Sequence, residues 1–363
     1  MQKRIAIQVK VVMVIAMLSV SMLACKKNNL NKEIDNRQFK MGFSTWSFGP
    51  TLANVNESYD FVTSNGDVYS EHMDHKVPWE AWMNGTELPL EFTNLVADKV
   101  NRQPNNVDLL LSISFLNSDR SGIMEDFNGE KPSVAMDDST VIEAYFKHVC
   151  YLVDELQPMY LVYSIESNEL LVNNPDAWPA FRKAMTTIGE KLTLKYPNLL
   201  MAESVTLHSW YKNDATVNTE AEVEAIVNSG SFAAISFYPF FKGLHSTTDF
   251  QEAFDFLHSK VNIPIAFVET NHLAEDLIVD EYALNIKSDE KEQEDYLATL
   301  LLNAHQKQYH FVIWWAHRDY DALWETFPEE VKALGKIWRD TGLKDENGKD
   351  RRAMKLWRNI FAK

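Results

Sequence analysis

The chain has 363 residues, 45% of them hydrophobic, and only two cysteines, so it can bury a large core and is neither disordered nor a disulfide-stapled miniprotein. Thirty-five Lys and Arg against 52 Asp and Glu give a net charge of −17, which argues against nucleic acid or an anionic surface as partner, since either needs a basic face. The length is compatible with two average domains or with one α/β barrel.

The first segment reads as a targeting signal. Lys3, Arg4 and Lys10 flank or precede a charge-free stretch of 14 residues, Val11 to Ala24, which is short against the roughly 20 apolar residues of a membrane-spanning helix. The run Ser21-Met22-Leu23-Ala24-Cys25 resembles a bacterial lipobox. That resemblance implies cleavage after residue 24 and a lipid on Cys25, anchoring the protein at a bacterial envelope membrane. The alternatives are an ordinary secretory peptide or an uncleaved anchor. With Lys3, Arg4 and Lys10 removed the charge goes from −17 to −20, and Cys150 is left as a solitary thiol. Residues 25–39 are polar and Asn/Lys-rich, as expected of a flexible tether.

From Lys40 onward, short β-rich apolar runs alternate with stretches of helical spacing. Strands are expected at Met41–Trp46, Gly66–Ser70, Leu109–Ser114, Tyr160–Ile165, Leu199–Ser204, Phe232–Tyr238, Ile265–Glu269 and Phe311–Trp315. Helical spacing occupies Ile142–Leu156, Trp178–Tyr196, Glu220–Val227, Phe250–Lys260 and Glu292–Gln308. Eight such strands with helices between them predict a single (β/α)8 TIM barrel over residues 40–363. A doubly wound open sheet fits less well, because no Gly-rich phosphate turn follows the first strand. The acidic stretch Glu275–Glu294 reads as a solvated loop running into a helix, and the C-terminal segment from Trp338 as a final helix sealing the barrel.

Catalytic groups of such barrels sit at the C-terminal ends of the strands. The fourth expected strand ends Ile165-Glu166-Ser167-Asn168-Glu169 and the seventh ends Val268-Glu269-Thr270. A carboxylate closing an apolar strand is costly to bury unless paired. Two of them across one barrel mouth are what acetal hydrolysis needs, one as acid and one as base or nucleophile.

On these residues the chain resembles glycoside hydrolase clan A, whose barrels carry Asn-Glu at strand four and Glu at strand seven. The resemblance implies Glu169 as general acid/base, Asn168 as a ligand of the sugar 2-hydroxyl, and Glu269 as nucleophile. The stretch Ile235-Ser236-Phe237-Tyr238-Pro239-Phe240-Phe241-Lys242-Gly243 is similar to one in the endo-β-1,4-galactanases, and implies that Tyr238 bonds the nucleophile. Trp314 and Trp315 end strand eight, where these barrels place a tryptophan beneath the sugar. No cofactor is implied.

The end of strand two departs from the clan pattern. It reads Tyr69-Ser70-Glu71-His72-Met73-Asp74-His75, with no arginine, so His72 or His75 is the candidate for that place. His72, Asp74 and His75 also allow a metal reading, though their spacing is loose for one. Glu166 and Glu203 are rival strand-end carboxylates, and His208 and His317 are lower-ranked site candidates. Aromatic residues dense around the expected mouth (Trp46, Trp79, Trp82, Trp210, Phe240, Phe241 and Trp324 besides the pair in strand eight) suit sugar stacking. Among them Trp79 and Trp82, expected in a mouth loop, are the favoured subsite platforms. The expectation is a retaining glycoside hydrolase acting on a β-linked carbohydrate. The alternatives are an inactive carbohydrate-binding lipoprotein and a metal-dependent hydrolase.

Overall fold

The computed structural model describes residues 30, 32–212 and 219–363. The signal segment and Cys25 lie outside the described residues. Among those described, no helix is long and apolar enough to cross a membrane.

In chain order the strands are β1 (Lys40–Ser44), β2 (Val68–Met73), β3 (Asp108–Ile113), β4 (Tyr160–Ser164), β5 (Leu200–Thr206), β6 (Ala233–Phe237), β7 (Ile265–Thr270), β8 (Leu277–Val279), β9 (Leu284–Ile286) and β10 (Phe311–Trp314). β1–β7 and β10 form one closed, all-parallel barrel, in which β10 pairs with both β7 and β1. The expected eight strands are therefore all present, and closure leaves the ring no free edge. β8 and β9 form an antiparallel hairpin inside the acidic stretch after β7, where the sequence leads one to expect a solvated loop, and the expected helix start follows at Glu290. Helices Ser139–Leu156, Trp178–Lys195, Glu220–Val227, Thr247–Lys260 and Glu290–Gln306 cover the outside.

Side chains alternate in and out along each strand. On β2, Val68 belongs to the interior cluster while Tyr69 and Met73 belong to the layer under the helices. The floor of the barrel is aromatic: Phe311 packs against Tyr160 at 4.6 Å and Phe232 at 5.8 Å. Above it sit Val68, Leu110, Val162, Ala202, Ala234, Ala266 and Ile313. Gly42 has no room for a side chain, since a Cβ there would meet Val68 O at 1.7 Å. One step higher, five inward positions are buried serines, Ser44, Ser70, Ser112, Ser204 and Ser236. They form a belt of small polar residues beneath the mouth.

Two outer segments close the ring. Helix Arg352–Phe361 places Trp357 against Phe43 at 4.4 Å, with its indole N–H donating to Asn65 O. The segment before β1 is not free along its whole length. Leu30, Ile34 and Phe39 are buried in the main core, and Arg37 bonds Asp67 and the carbonyl of Phe361. The flexible tether expected through residue 39 is corrected here: three apolar side chains in a polar run are enough to dock it. Cys150 is buried as a free thiol, and burial raises its pKa.

Candidate active site

Glu269 owes its direction to a register irregularity. Across β6 and β7 the pairing steps from Ile235–Phe267 to Ser236–Glu269, so β7 carries one extra residue. Such a bulge breaks the alternation. Val268 lies in the interior cluster, and Glu269 beside it also faces the mouth, its Oε2 3.5 Å from His72 Nε2. Thr270 then turns outward, bonding Phe237 O and the Tyr296 hydroxyl in the helix layer.

His72 reaches this point by simple alternation, two residues above Ser70 and four above Val68. Its Nδ1 lies 3.6 Å from Asp74 Oδ2. Burial pulls the His72 pKa down, but the contact with Asp74 and the charges of Glu269 and Asp74 outweigh it, and the net direction is up. Asp74 falls to about 2, because His72, Arg120 and His75 outweigh its own burial. The Glu269 carboxyl is pushed up to about 8, first by burial. His72 opposes that shift, the Glu166 and Asp74 charges add to it, and Arg120 opposes it.

The end of β4 is organised by β5. Thr206 N donates to Asn168 Oδ1 at 2.7 Å, Asn168 Nδ2 donates back to Thr206 O at 3.1 Å and Oγ1 at 3.0 Å, and the Thr206 hydroxyl donates to Glu169 Oε1. Asn168 is buried with its amide committed to this clasp rather than turned to a ligand, which corrects its expected role on the sugar hydroxyl. The clasp instead fixes the start of helix Glu169–Asn173 and with it the Glu169 carboxylate. Behind Glu169 stands His208, whose pKa falls to about 4 through burial, with the Glu169 charge opposing.

Glu166 also faces this centre. Its carboxyl accepts from Arg120 Nη2 at 3.2 Å, and its backbone N–H donates to Ser204 of the serine belt at 2.8 Å. Burial raises its pKa, Arg120 opposes, and the Glu169 charge adds to the rise. Arg120 was not anticipated from sequence. It stands at the tip of a turn after β3 closed by the Leu116–Ile123 bridge, and no motif surrounds it. Glu203, the other rival, points the opposite way. It is held by Arg182 at 2.6 Å and Ser167 at 2.9 Å under helix Trp178–Lys195.

The aromatic wall differs from expectation. Trp315 follows Ile313 on the inward phase, 5.2 Å from His72 and 5.2 Å from Trp46, which also touches Tyr320 at 5.8 Å. Trp314 faces outward and is fully buried, donating to Thr341 O, so only one tryptophan of the pair lines the mouth. Trp79 and Trp82 do not line it at all. They lie on helix Trp79–Asn84, Trp79 buried against Tyr145 and bonded to Met124 O, Trp82 bonded to His148. Their spacing of three residues puts both on the face that packs on helix Ser139–Leu156.

Tyr238 is corrected in its contact. Its hydroxyl is buried without a hydrogen-bond partner and does not bond Glu269. The ring sits among Phe240, Phe241, His208 and Trp338. Trp210 is buried against Phe256, and Trp324 donates to Lys332 O. His317 is buried under Phe61 in the outer layer. His75 is exposed and meets Phe127. It therefore makes no compact ligand set with His72 and Asp74. The compact carboxylate clusters among the described residues, Glu275–Asp319–Glu346 and Asp319–Asp321–Asp340, lie elsewhere, and Arg351 already pairs with Asp319 at 2.7 Å.

A concavity of about 610 Å3 lies at the opposite end of the barrel, lined by Asp108, Pro158, Lys195 and Asn198 among others. Its two carboxylates are engaged with neighbours, Asp108 with Lys40 and Asp154 with the Tyr196 hydroxyl, and that end of a barrel serves stability rather than chemistry. Charged and titratable groups gather instead at and just after the strand C-termini: Glu169, Glu269, Glu166, Arg120, His72 and Asp74.

No protein-family model matches the chain, and no curated protein matches it in sequence. Solved structures do match. A GH5_18 variant from Bifidobacterium longum subsp. longum, in complex with Manβ1-4GlcNAc, superposes with a TM-score of 0.63 at 14% identity, covering 89% of this chain and 77% of that one. A GH53 catalytic domain from Ignisphaera aggregans gives 0.56 at 15% identity, covering 89% and 96%. An exo-β-1,4-mannosidase from Opitutaceae bacterium strain TAV5 gives 0.61 at 11% identity, covering 89% and 59%. At these identities the likeness carries the architecture: a single closed (β/α)8 barrel like those of GH5 and GH53 structures.

Proposed function

We propose that the chain is a retaining glycoside hydrolase acting on β-linked glycans, with Glu269 as nucleophile and Glu169 as general acid/base. The observation that carries this is the delivery of both glutamates to one barrel mouth, Glu169 by the Thr206 clasp and Glu269 by the β7 bulge. The similarity of the fold to GH5 and GH53 barrels supports the same reading.

In the first step a Glu269 oxygen attacks the anomeric carbon while the glycosidic C–O bond breaks and Glu169 gives its proton to the leaving oxygen. In the second step the Glu169 carboxylate takes a proton from water, whose oxygen displaces Glu269 and restores the original configuration. His72 stabilises the ionised nucleophile while it is itself protonated. Trp315, with Trp46 beside it, offers the flat face on which a sugar ring stacks.

β-Galactan is one candidate substrate, from the strand-six resemblance. β-Mannosides are the other, because two of the similar structures carry a mannoside ligand or name. By the same reading of the sequence, Cys25 carries the lipid that holds the barrel at a bacterial envelope membrane. A second reading, a sugar-binding protein without turnover, is favoured by the absence of an arginine at the end of β2. The test is a panel of β-galactan, β-mannan, other β-glycans and aryl β-glycosides, given to wild-type and Glu269→Ala proteins. Turnover by the wild type alone is expected. Equal behaviour of the two proteins overturns the hydrolase reading, and retained binding without turnover selects the second.

A further inference from the structure

Away from the mouth glutamates, two loops and a helix start meet around one oxygen atom. Glu292, in the first turn of helix Glu290–Gln306, places Oε1 2.7 Å from Nδ1 of His245 and 3.3 Å from Nε2 of His272. His245 lies between β6 and helix Thr247–Lys260, and His272 in the loop after β7. The His272 ring is fully buried against Phe240, Phe250 and Tyr296. Its Nδ1 lies 3.1 Å from the Leu273 carbonyl, which can only accept, so Nδ1 carries the proton. Burial lowers the His272 pKa to about 4, with the Leu273 and Leu244 carbonyls opposing, so the ring is neutral near pH 7 and Nε2 is a bare lone pair. That nitrogen has no hydrogen-bond partner among the described residues. Lone pairs on Nε2 and on Glu292 Oε1 thus face one another in a buried place. Such an arrangement costs free energy unless a cation stands between them.

We propose that His245 Nδ1, His272 Nε2 and a Glu292 carboxylate oxygen form a site for one divalent transition metal of the zinc class. Two imidazole nitrogens and a carboxylate are a donor set suited to Zn²⁺, with a water completing four-coordination. His272 is already oriented as metal-bound imidazoles are, by a hydrogen bond from its other nitrogen to a carbonyl. Glu292 is fixed to a helix turn. His245, the most exposed of the three at 44%, completes the set by turning its ring. Where its Nδ1 now shares a proton with Glu292, the metal takes that place, and the proton moves to the other ring nitrogen or to solvent. Asp289 and Asp295 add negative charge around Glu292. Asp289 caps the helix and Asp295 pairs with Lys291, so they lend field rather than ligand atoms. An ion bound here joins the loop after β6, the loop after β7 and the helix that follows the β8–β9 hairpin. It is a structural clamp on the segment leaving Glu269, and it stands whether or not the chain is a glycosidase.

The test is calorimetric titration of the chelator-treated protein with Zn²⁺. Co²⁺ serves as a spectroscopic stand-in, and Ca²⁺, which prefers all-oxygen shells, as the control. One Zn²⁺ binds per chain, Co²⁺ gives the intense visible absorption of a four-coordinate site, and Zn²⁺ raises the thermal midpoint. His245→Ala and Glu292→Gln each weaken Zn²⁺ binding by about 100-fold or more, since even the loss of an outer partner of a ligand costs about 10- to 100-fold. Zn²⁺ binding that both variants keep would put the ion elsewhere and overturn the proposal. Tighter binding of Ca²⁺ than of Zn²⁺, or no binding, would overturn it too. In the last case, 15N shifts showing both His272 nitrogens protonated would identify a buried imidazolium as the cation beside Glu292. If Glu292→Gln does not fold, His245→Ala, altered at an exposed ring, decides alone. No readout here is glycosidase activity, so failure of the hydrolase reading leaves the result standing.

Discussion

His72 Nε2 and Glu269 Oε2 stand 3.5 Å apart, so the carboxyl delivered by β7 meets an imidazole at the end of β2. An imidazole supports a neighbouring carboxylate only while it holds its second proton, whereas a guanidinium supports it at every pH of interest. The pairing therefore makes the ionisation of Glu269 conditional. It also gives the site an expected pH signature.

Activity on the free enzyme requires Glu269 without its proton. Burial holds that carboxyl up to about 8, so kcat/KM should rise with pH through that region rather than near the ordinary glutamate value. Removing the cation with His72→Gln should move the rise to still higher pH and lower kcat/KM at neutrality. A rise centred in the ordinary carboxylate range in wild type would contradict the burial of Glu269.

Glu169→Gln should divide substrates by leaving group. Turnover of an unactivated β-glycan should fall by about 10²- to 10⁴-fold, the usual worth of a general acid. The glycosylation step of a dinitrophenyl glycoside should fall far less, since that leaving group departs without a proton. If Glu166→Gln rather than Glu169→Gln shows this leaving-group dependence, the assignment of the acid moves three residues back along the chain.

The two tryptophans ending the last barrel strand should separate cleanly. Trp314→Ala empties a fully buried site and should cost about 3–5 kcal/mol, seen as a lower denaturation midpoint. Trp315→Ala should leave that midpoint close to wild type and raise KM. Equal loss of stability in both would mean that Trp315 is a packing residue as well.

A protein starting at Lys40 should be less stable than one starting at Leu30. The shorter chain loses the buried Leu30, Ile34 and Phe39, each worth about 2 kcal/mol when fully buried. Urea midpoints of the two compare them directly. Coincident midpoints would return this segment to the status of a free linker.

The strand order was legible because short apolar runs separated by stretches of helical spacing mark buried strands, and that order alone puts the glutamates after the fourth and seventh runs at the mouth end. The tryptophan at the end of β10 was legible only to the pair, although the alternation from Ile313 already puts Trp315 inward. Trp79 and Trp82 misled because density of aromatics says nothing of which layer holds them. Their three-residue spacing, the mark of one helix face, was the signal available. Tyr238 was placed on the right strand end, but its hydroxyl direction depends on packing by Phe240 and Trp338. Arg120 carried no local signal, since its reach to Glu166 is created by contacts between two loops distant in sequence.

The single additional residue in β7 makes the orientation of the reactive carboxyl a matter of counting. Delete Val268, and the strand could still pair and the barrel still close. Glu269 would then follow Phe267 by plain alternation and still face inward, whereas a β7 that kept Val268 and paired without the irregularity would turn Glu269 outward, towards the helix layer. Substitutions at Val268 leave that count intact. The irregularity of pairing, rather than the side chain at position 268, therefore keeps Glu269 in the mouth.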